Sequence, residues 1–249
     1  MEKCAVILAG GEGKRMKMNK PKPLAQVLGK PMLEWVLRSV RNAGVEKICV
    51  IKGFGKEFID EFVAELPFEV ETAYQAERLG TGHAVMQAKD FLAQCGGNVV
   101  ILNGDAPFMD SATIKDSFEY HIQNQNAVTV ISARVKNPTG YGRIVRGENG
   151  EVTAIIEQKD ADEKIQAIDE VNSGGFWFDT EKLLSVLDEI KSDNAAKEYD
   201  LPDALKLLLQ KGEKVGAFTA ESPDTVLGAN DPAQLKELEE IAVQKGYKC

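Results

Sequence analysis

Between residues 13 and 32 the chain carries Lys14, Arg15, Lys17, Lys20, Lys22 and Lys30 and no acidic residue. The overall ratio of 39 acidic residues in 249 would put about three in a stretch of that length. In a protein of formal net charge −9 the window is a local exception. A run of charge is most simply a solvated helix face, but Pro21, Pro23, Gly29 and Pro31 forbid one continuous helix here. The window also follows directly on Gly10, Gly11 and Gly13, where missing side chains let backbone amides approach an anion closely. A glycine turn feeding a cationic segment is suited to hold phosphate.

Neither common nucleotide motif accounts for this turn. Met16 stands where a dinucleotide fingerprint needs its third glycine, and Arg15 follows Gly13-Lys14 where a P-loop needs Ser or Thr. The four cysteines, Cys4, Cys49, Cys95 and Cys249, lack the paired spacing of zinc or redox sites and are expected as free thiols in a cytoplasmic protein.

The elements that must position this turn follow from the apolar pattern. Strands are predicted over 4–8, 47–51, 68–72 and 98–102, alternating with helices over 31–43, 58–66 and 80–92. That rhythm indicates βαβ units and an α/β fold, Rossmann-like, with a mostly parallel mixed sheet flanked by helices. The second half changes character. Strands over 127–135, 141–145 and 151–157 surround a hairpin signal at Glu148-Asn149-Gly150, which predicts an antiparallel extension. A glycine- and aromatic-rich strand over 171–178, helices over 181–190 and 201–209, a strand over 214–219 and a polar helix over 232–245 follow. No linker separates the halves, so 1–249 is expected as one domain: about 1–125, about 126–230, and a C-terminal helix in 231–249. No apolar run approaches the ~18 residues of a membrane span, and the acidic balance argues against a nucleic-acid partner.

Leu8-Ala9-Gly10-Gly11-x-Gly13-x-Arg15-Met16 followed by Pro21-Lys22-Pro23-Leu24 resembles the opening of the sugar-1-phosphate nucleotidylyltransferases. Gln75 with Gly80-Thr81-Gly82-His83-Ala84, Asn103-Gly104-Asp105, Tyr141-Gly142-Arg143-Ile144, Glu157, Asn172 and Asn230 continue the likeness in order. They narrow it to the uridylyltransferase half of the bifunctional bacterial enzymes that act on N-acetylglucosamine-1-phosphate. The resemblance implies that Leu8, Ala9, Gly10, Gly11, Gly13, Gln75, Gly80 and Thr81 bind nucleotide, and that Arg15 and Lys22 are catalytic. It further implies that Gly142, Glu157 and Asn172 bind sugar, and that Asp105 and Asn230 hold Mg²⁺. UTP and a sugar-1-phosphate are the implied substrates, another sugar-1-phosphate or a phosphorylated alcohol the alternative, and a silent sugar-nucleotide sensor a third reading. No hexapeptide period follows, so no acetyl-transferring β-helix is expected, and monomer or dimer is favoured over trimer.

Each position also has a plainer role open to it. Gly142 could serve a turn, Asp105 a loop hydrogen bond and Glu157 an exposed strand face. Asn172 could start a bend, Asn230 could start the last helix, and His83 is expected to be structural. The chain departs from the pattern at Gly10 (commonly Ala), Lys14 (a small hydroxyl residue) and Asn103 (Tyr). Glu198-Tyr199-Asp200-Leu201-Pro202-Asp203 only partly resembles a Tyr-Tyr-x-Thr-Asp segment.

Overall fold

The computed structural model describes residues 2–194 and 197–249, beginning with the apolar strand β1 (Lys3–Ala9). After it come β2 (Gln26–Val27), β3 (Lys30–Pro31), α1 (Met32–Asn42), β4 (Lys47–Lys52), α2 (Lys56–Ala64), β5 (Glu71–Tyr74), α3 (Thr81–Met86), α4 (Lys89–Cys95) and β6 (Asn98–Asn103). The second half runs α5 (Ser111–Gln123), β7 (Val128–Arg134), β8 (Arg143–Arg146), β9 (Val152–Ile156), α6 (Glu163–Gln166) and β10 (Glu170–Asp179). It closes with α7 (Thr180–Leu187), α8 (Pro202–Gln210), β11 (Val215–Thr219) and α9 (Pro232–Lys245).

Among the described residues the main sheet is mixed, in the order β11-β7-β10-β6-β1-β4-β5. β6, β1, β4 and β5 are parallel, β10 runs antiparallel to both β6 and β7, and the β8–β9 hairpin attaches at the start of β10. The order reverses at β1, which lies between β4 and β6. Open α/β sheets bind ligands in the crevice at that switch point, beyond the carboxyl ends of the strands. The register pairs Leu8 with Asn103, and the Gly104 amide donates to the Leu8 carbonyl at 2.9 Å. The loops leaving β1 and β6 therefore emerge side by side.

Both sheet faces are covered, and alternation along the strands divides the core. Val99 and Ile101 of β6 and Phe176 and Phe178 of β10 pack under α3, α4, α7 and α8. Val100, Leu102 and Trp177 face α1, α2 and α5 with Leu33, Val36, Leu37, Ile59 and Ile114. Each such large apolar side chain contributes about 1.5–3 kcal/mol by leaving water. A third cluster joins Met16, Val27, Met32, Trp35 and Phe108 to Leu238 and Ala242 of α9. The last helix thus seats the chain that follows the glycine turn and carries Asn230 at its own N-terminal approach.

Three expectations are corrected. The helix predicted over 80–92 is two helices: the Gln87 side chain donates to the His83 carbonyl at 2.9 Å, taking the acceptor that the Gln87 amide would use in a continuous helix. The strand predicted over 68–72 starts later, at Glu71, where β4 first lies opposite; Phe68 and Val70 instead pack onto the core as the chain approaches. The four cysteines are not all free thiols, because Cys4 of β1 and Cys95 at the end of α4 form a disulfide. Cys49 is a buried thiol whose pKa burial pushes up to about 12, and Cys249 is exposed. Among the described residues no helix is long and apolar enough to cross a membrane.

Candidate active site

A cleft of about 920 Å³ opens over the carboxyl ends of β1 and β6 and continues between the glycine turn and the β8–β9 hairpin. At one end, Gly13 takes a left-handed conformation (φ 62°) and lies flat against Lys22. A side chain there would bring a Cβ within 2.6 Å of the Lys22 Cβ. This close approach lets the stem of Lys22 cross the turn. Its ammonium pairs with the Asp105 carboxylate and donates to Asn230 Oδ1 at 3.0 Å. Residues 125 positions apart therefore meet on one cation. The plainer role for Asn230 falls to its neighbour, since Asp231 caps α9 by accepting from the Gln234 amide at 2.9 Å. The Asn230 carboxamide is left to face the cleft.

The wall beside the glycine turn is built from β5 and α3. Gln75, buried at the end of β5, donates through Nε2 to the Gly80 carbonyl at 3.0 Å and lies 3.1 Å from His83 Nδ1. The other ring nitrogen of His83 is 3.4 Å from Gln87 Nε2, so the imidazole is held between two glutamine side chains. The Thr81 hydroxyl accepts from the Leu201 amide at 2.9 Å and the Gly82 amide donates to the Tyr199 carbonyl at 2.7 Å. The 198–203 segment is thereby fixed over the start of α3.

At the far end, Gly142, Glu157 and Asn172 converge. A Cβ at Gly142 would sit 2.7 Å from Glu157 Oε1, the Asn172 amide donates to the Gly142 carbonyl at 2.8 Å, and Asn172 Oδ1 accepts from the Gly174 amide at 2.8 Å. Burial raises the Glu157 pKa, and the carboxylates of Asp200 and Asp160 raise it further against a smaller opposing effect of Arg143. Burial, with Glu198, Asp203 and Asp160 nearby, pushes Asp200 up to about 6.

Leu8, Gly10, Gly11, Arg15, Lys22, Gln75, Gly80, Thr81, Asp105, Gly142, Glu157, Asn172 and Asn230 all line this cleft. Two expected nucleotide contacts do not: Ala9 is fully buried within β1, and Gly13 backs onto Lys22. Among the described residues no group of three or more His, Cys, Asp and Glu side chains could hold a metal ion. The oxygens of Asp105 and Asn230 nonetheless already converge on a positive charge, as hard oxygen donors for Mg²⁺ would.

A family model described as Nucleotidyl transferase matches residues 4–225. The chain belongs to that family. It is 44% identical over 233 residues to the bifunctional protein GlmU of Acetivibrio thermocellus, covering 94% of this chain and 50% of that protein. It is 45% identical over 241 residues to the bifunctional protein GlmU of Clostridium beijerinckii, covering 97% of this chain and 52% of that protein. The chain thus spans about half the length of the curated relatives it matches. The crystal structure of a UDP-glucose pyrophosphorylase complexed with UDP-glucose shares the fold, with a TM-score of 0.80 at 16% identity, covering 98% of this chain and 100% of that one.

Other residues line the cleft or brace its walls from behind. Arg78 reaches the mouth and donates to Glu12 Oε2 at 3.0 Å, tying the loop between β5 and α3 to the glycine turn. Arg143, almost wholly buried, donates to the Tyr141 carbonyl and to Gln158 Oε1 (2.8 Å), bracing the two loops that carry Gly142 and Glu157. Asp160, Glu198 and Asp200 complete the acidic end. Of these, Glu198 and Asp200 had a signal in the sequence, lying in the segment that only partly resembles Tyr-Tyr-x-Thr-Asp.

Proposed function

We propose that the cleft transfers a uridylyl group from UTP to a sugar-1-phosphate, N-acetylglucosamine-1-phosphate foremost, releasing pyrophosphate with the help of Mg²⁺. The observation that carries this reading is the meeting of Lys22, Asp105 and Asn230 beside the glycine turn, opposite a pocket built from Gly142, Glu157 and Asn172. The motif order and the GlmU relatives support it. On this reading residues about 1–125, about 126–230 and 231–249 form one catalytic unit.

The nucleophile is a phosphate oxygen that is already anionic, so no general base is needed. A bond forms between that oxygen and the α-phosphorus, and the bond from the α-phosphorus to the leaving pyrophosphate breaks. The barrier is mutual repulsion and in-line alignment, which the protein meets by positioning and charge neutralisation. Backbone amides of Gly10 and Gly11 receive the triphosphate, and Arg15 meets the leaving pyrophosphate. Lys22 neutralises the α-phosphate and the incoming sugar phosphate. Gln75, Gly80 and Thr81 select the pyrimidine, and Gly142, Glu157 and Asn172 hold the sugar. Asp105 and Asn230 would hold Mg²⁺, which supplies positive charge against the charge that develops on the phosphates.

One observation favours a different sugar-1-phosphate or a phosphorylated alcohol as acceptor: the Asp200 carboxylate and Pro202 line the acceptor end. Pyrophosphate release across a grid of nucleoside triphosphates and phosphorylated acceptors, with Mg²⁺, tests both readings. UTP with N-acetylglucosamine-1-phosphate is expected to give the highest kcat/KM. A comparable kcat/KM for glucose-1-phosphate overturns the sugar assignment, and ligand binding without any turnover overturns the enzyme in favour of a sensor.

A further inference from the structure

The ammonium of Lys22 stands between the two side chains that the proposed function assigns to the metal. It pairs with the Asp105 carboxylate and donates to Asn230 Oδ1 at 3.0 Å. The pair is sheltered, with 17% of the Lys22 side chain and 20% of the Asp105 side chain exposed, so bulk water screens it only in part. Asp105 and Asn230 together bring one negative charge, and one ammonium neutralises it. A divalent ion entering the same seat would lose the carboxylate to Lys22 and meet a like charge at close range.

Only the side chain of Lys22 is free to change this. Its backbone opens a 3₁₀ turn in which the Ala25 amide donates to the Lys22 carbonyl at 2.9 Å. Pro21 and Pro23 flank it, and Gly13 lies flat against its stem. Rotation about the side-chain bonds can carry the ammonium out of the seat while the segment stays fixed. What would draw it out is a stronger anion within reach, and the cleft that it lines is where the nucleotide phosphates are proposed to lie.

We propose that Lys22 is the resident cation of the nucleotide-free enzyme, occupying the Asp105–Asn230 seat until nucleotide phosphates withdraw it and a divalent ion takes its place. This rests on the reading of Asp105 and Asn230 as metal-holding residues. Lys22 then has two positions in one cycle, and it makes the seat selective for metal that arrives with nucleotide. Binding of the two becomes mutually reinforcing, and the coupling is reciprocal. Free divalent ion is kept out of an enzyme with no substrate to act on.

Mn²⁺ binding, read from the loss of the free-ion electron paramagnetic resonance signal, tests this without turnover. Wild type, Lys22→Met, Asp105→Asn and the double variant are titrated with and without a non-hydrolysable α,β-methylene analogue of UTP, and circular dichroism checks their fold. Without nucleotide, Lys22→Met is expected to bind Mn²⁺ at least about 10-fold tighter than wild type. The double variant is expected to lose that gain. Lys22→Gln, which keeps a polar chain, replaces Lys22→Met if the latter does not fold.

If Lys22→Met binds no tighter than wild type while Asp105→Asn still weakens Mn²⁺ binding with the analogue present, the resident-cation role is wrong and the metal assignment stands. If Asp105→Asn leaves Mn²⁺ affinity unchanged in both conditions, the metal assignment itself is wrong and the proposal falls with it.

Discussion

The two ends of the cleft are built from opposite materials. On the proposed reading the phosphate end combines glycine backbone with Arg15, Lys22 and Arg78, whereas the acceptor end gathers Glu157, Asp160, Glu198 and Asp200, with the buried Arg143 bracing its loops from behind. Phosphates are alike in every nucleotide, so backbone amides and cations suffice to hold them, and both are set by local chain geometry. A sugar is distinguished by where its hydroxyls and substituents lie. That requires acceptors aimed from several separate elements, and leaving one unpaired is costly. Changes at the first end should therefore lower the rate for every substrate, and changes at the second should alter preference.

The largest effect is expected at Lys22. Lys22→Ala should lower kcat about 10²–10³-fold for all acceptors, the scale for losing one preorganised electrostatic partner. A change of only a few-fold in steady-state kinetics would return Lys22 to a surface role. Asp105→Ala and Asn230→Ala should each lower activity strongly and raise the Mg²⁺ needed for half-maximal rate, with little change in Tm. Structural roles would instead lower Tm and leave the Mg²⁺ dependence in place.

Glu157→Gln should act on one substrate only. It is expected to raise the KM for the sugar phosphate by roughly 10-fold, in line with the ~1–3 kcal/mol cost of a hydrogen-bonding group left mispaired in the complex, while the KM for UTP stays put. Equal changes in both constants would erase the distinction between the ends.

A smaller effect belongs to Asp200. Its carboxyl is pushed up to about 6, chiefly by burial, so it is neutral below that pH and charged above it. As an acceptor for sugar hydroxyls it should lower the KM for the sugar phosphate a few-fold as pH rises through 6. Asp200→Asn should flatten that step, while the titration of the substrate's own phosphate, common to both enzymes, cancels.

A stability control separates this step from acid damage to the fold. Buried His121, bonded to Thr129 and Asn98, has its pKa lowered by burial to about 4. The unfolded chain takes up this proton near its usual pKa of about 6.5 and the folded chain does not. Stability should therefore fall between about pH 6.5 and 4 and then level, at a cost on the order of 3 kcal/mol. Thermal melts of His121→Gln against wild type should lose that slope. A kinetic step at pH 6 that follows the melts rather than Asp200 would count against the Asp200 assignment.

The same division explains what the sequence could reveal. The phosphate end lies mostly in one stretch, 10–23, where glycines, cations and prolines leave a local signal. The strands beneath it, being buried on both faces, read as plain apolar runs. The pairing of Asp105 with Asn230 has no local signature and came only from the ordered resemblance. Arg143 owes its part to burial among loops from three places, which residue type alone cannot reveal. α5 lies in a stretch assigned no element, although Asp110 caps it by accepting from the Thr113 amide at 2.8 Å and its Ile114 shares a core cluster with Trp177 of β10. The Cys4–Cys95 disulfide spans 91 positions and depends on α4 ending beside β1.

β10 reaches both ends at once. It starts with Glu170 held by Arg146, pairs Asn172 with Ser132 of β7, bulges before Gly175, and then runs in register with β6, the strand that leads to Asp105. On the proposed reading, the distance from the cation seat to the acceptor pocket is therefore gauged by a single length of chain held in register with β7 on either side of its bulge. Such a gauge cannot stretch to suit a longer acceptor, as a pocket slung on loops could. Lengthening or shortening the bulge by one residue would turn Asn172 to the other face of the sheet, so the gauge can only be reset in steps of two. Acceptor size in this fold is thus expected to change in jumps between relatives, with the bulge in β10 as the notch.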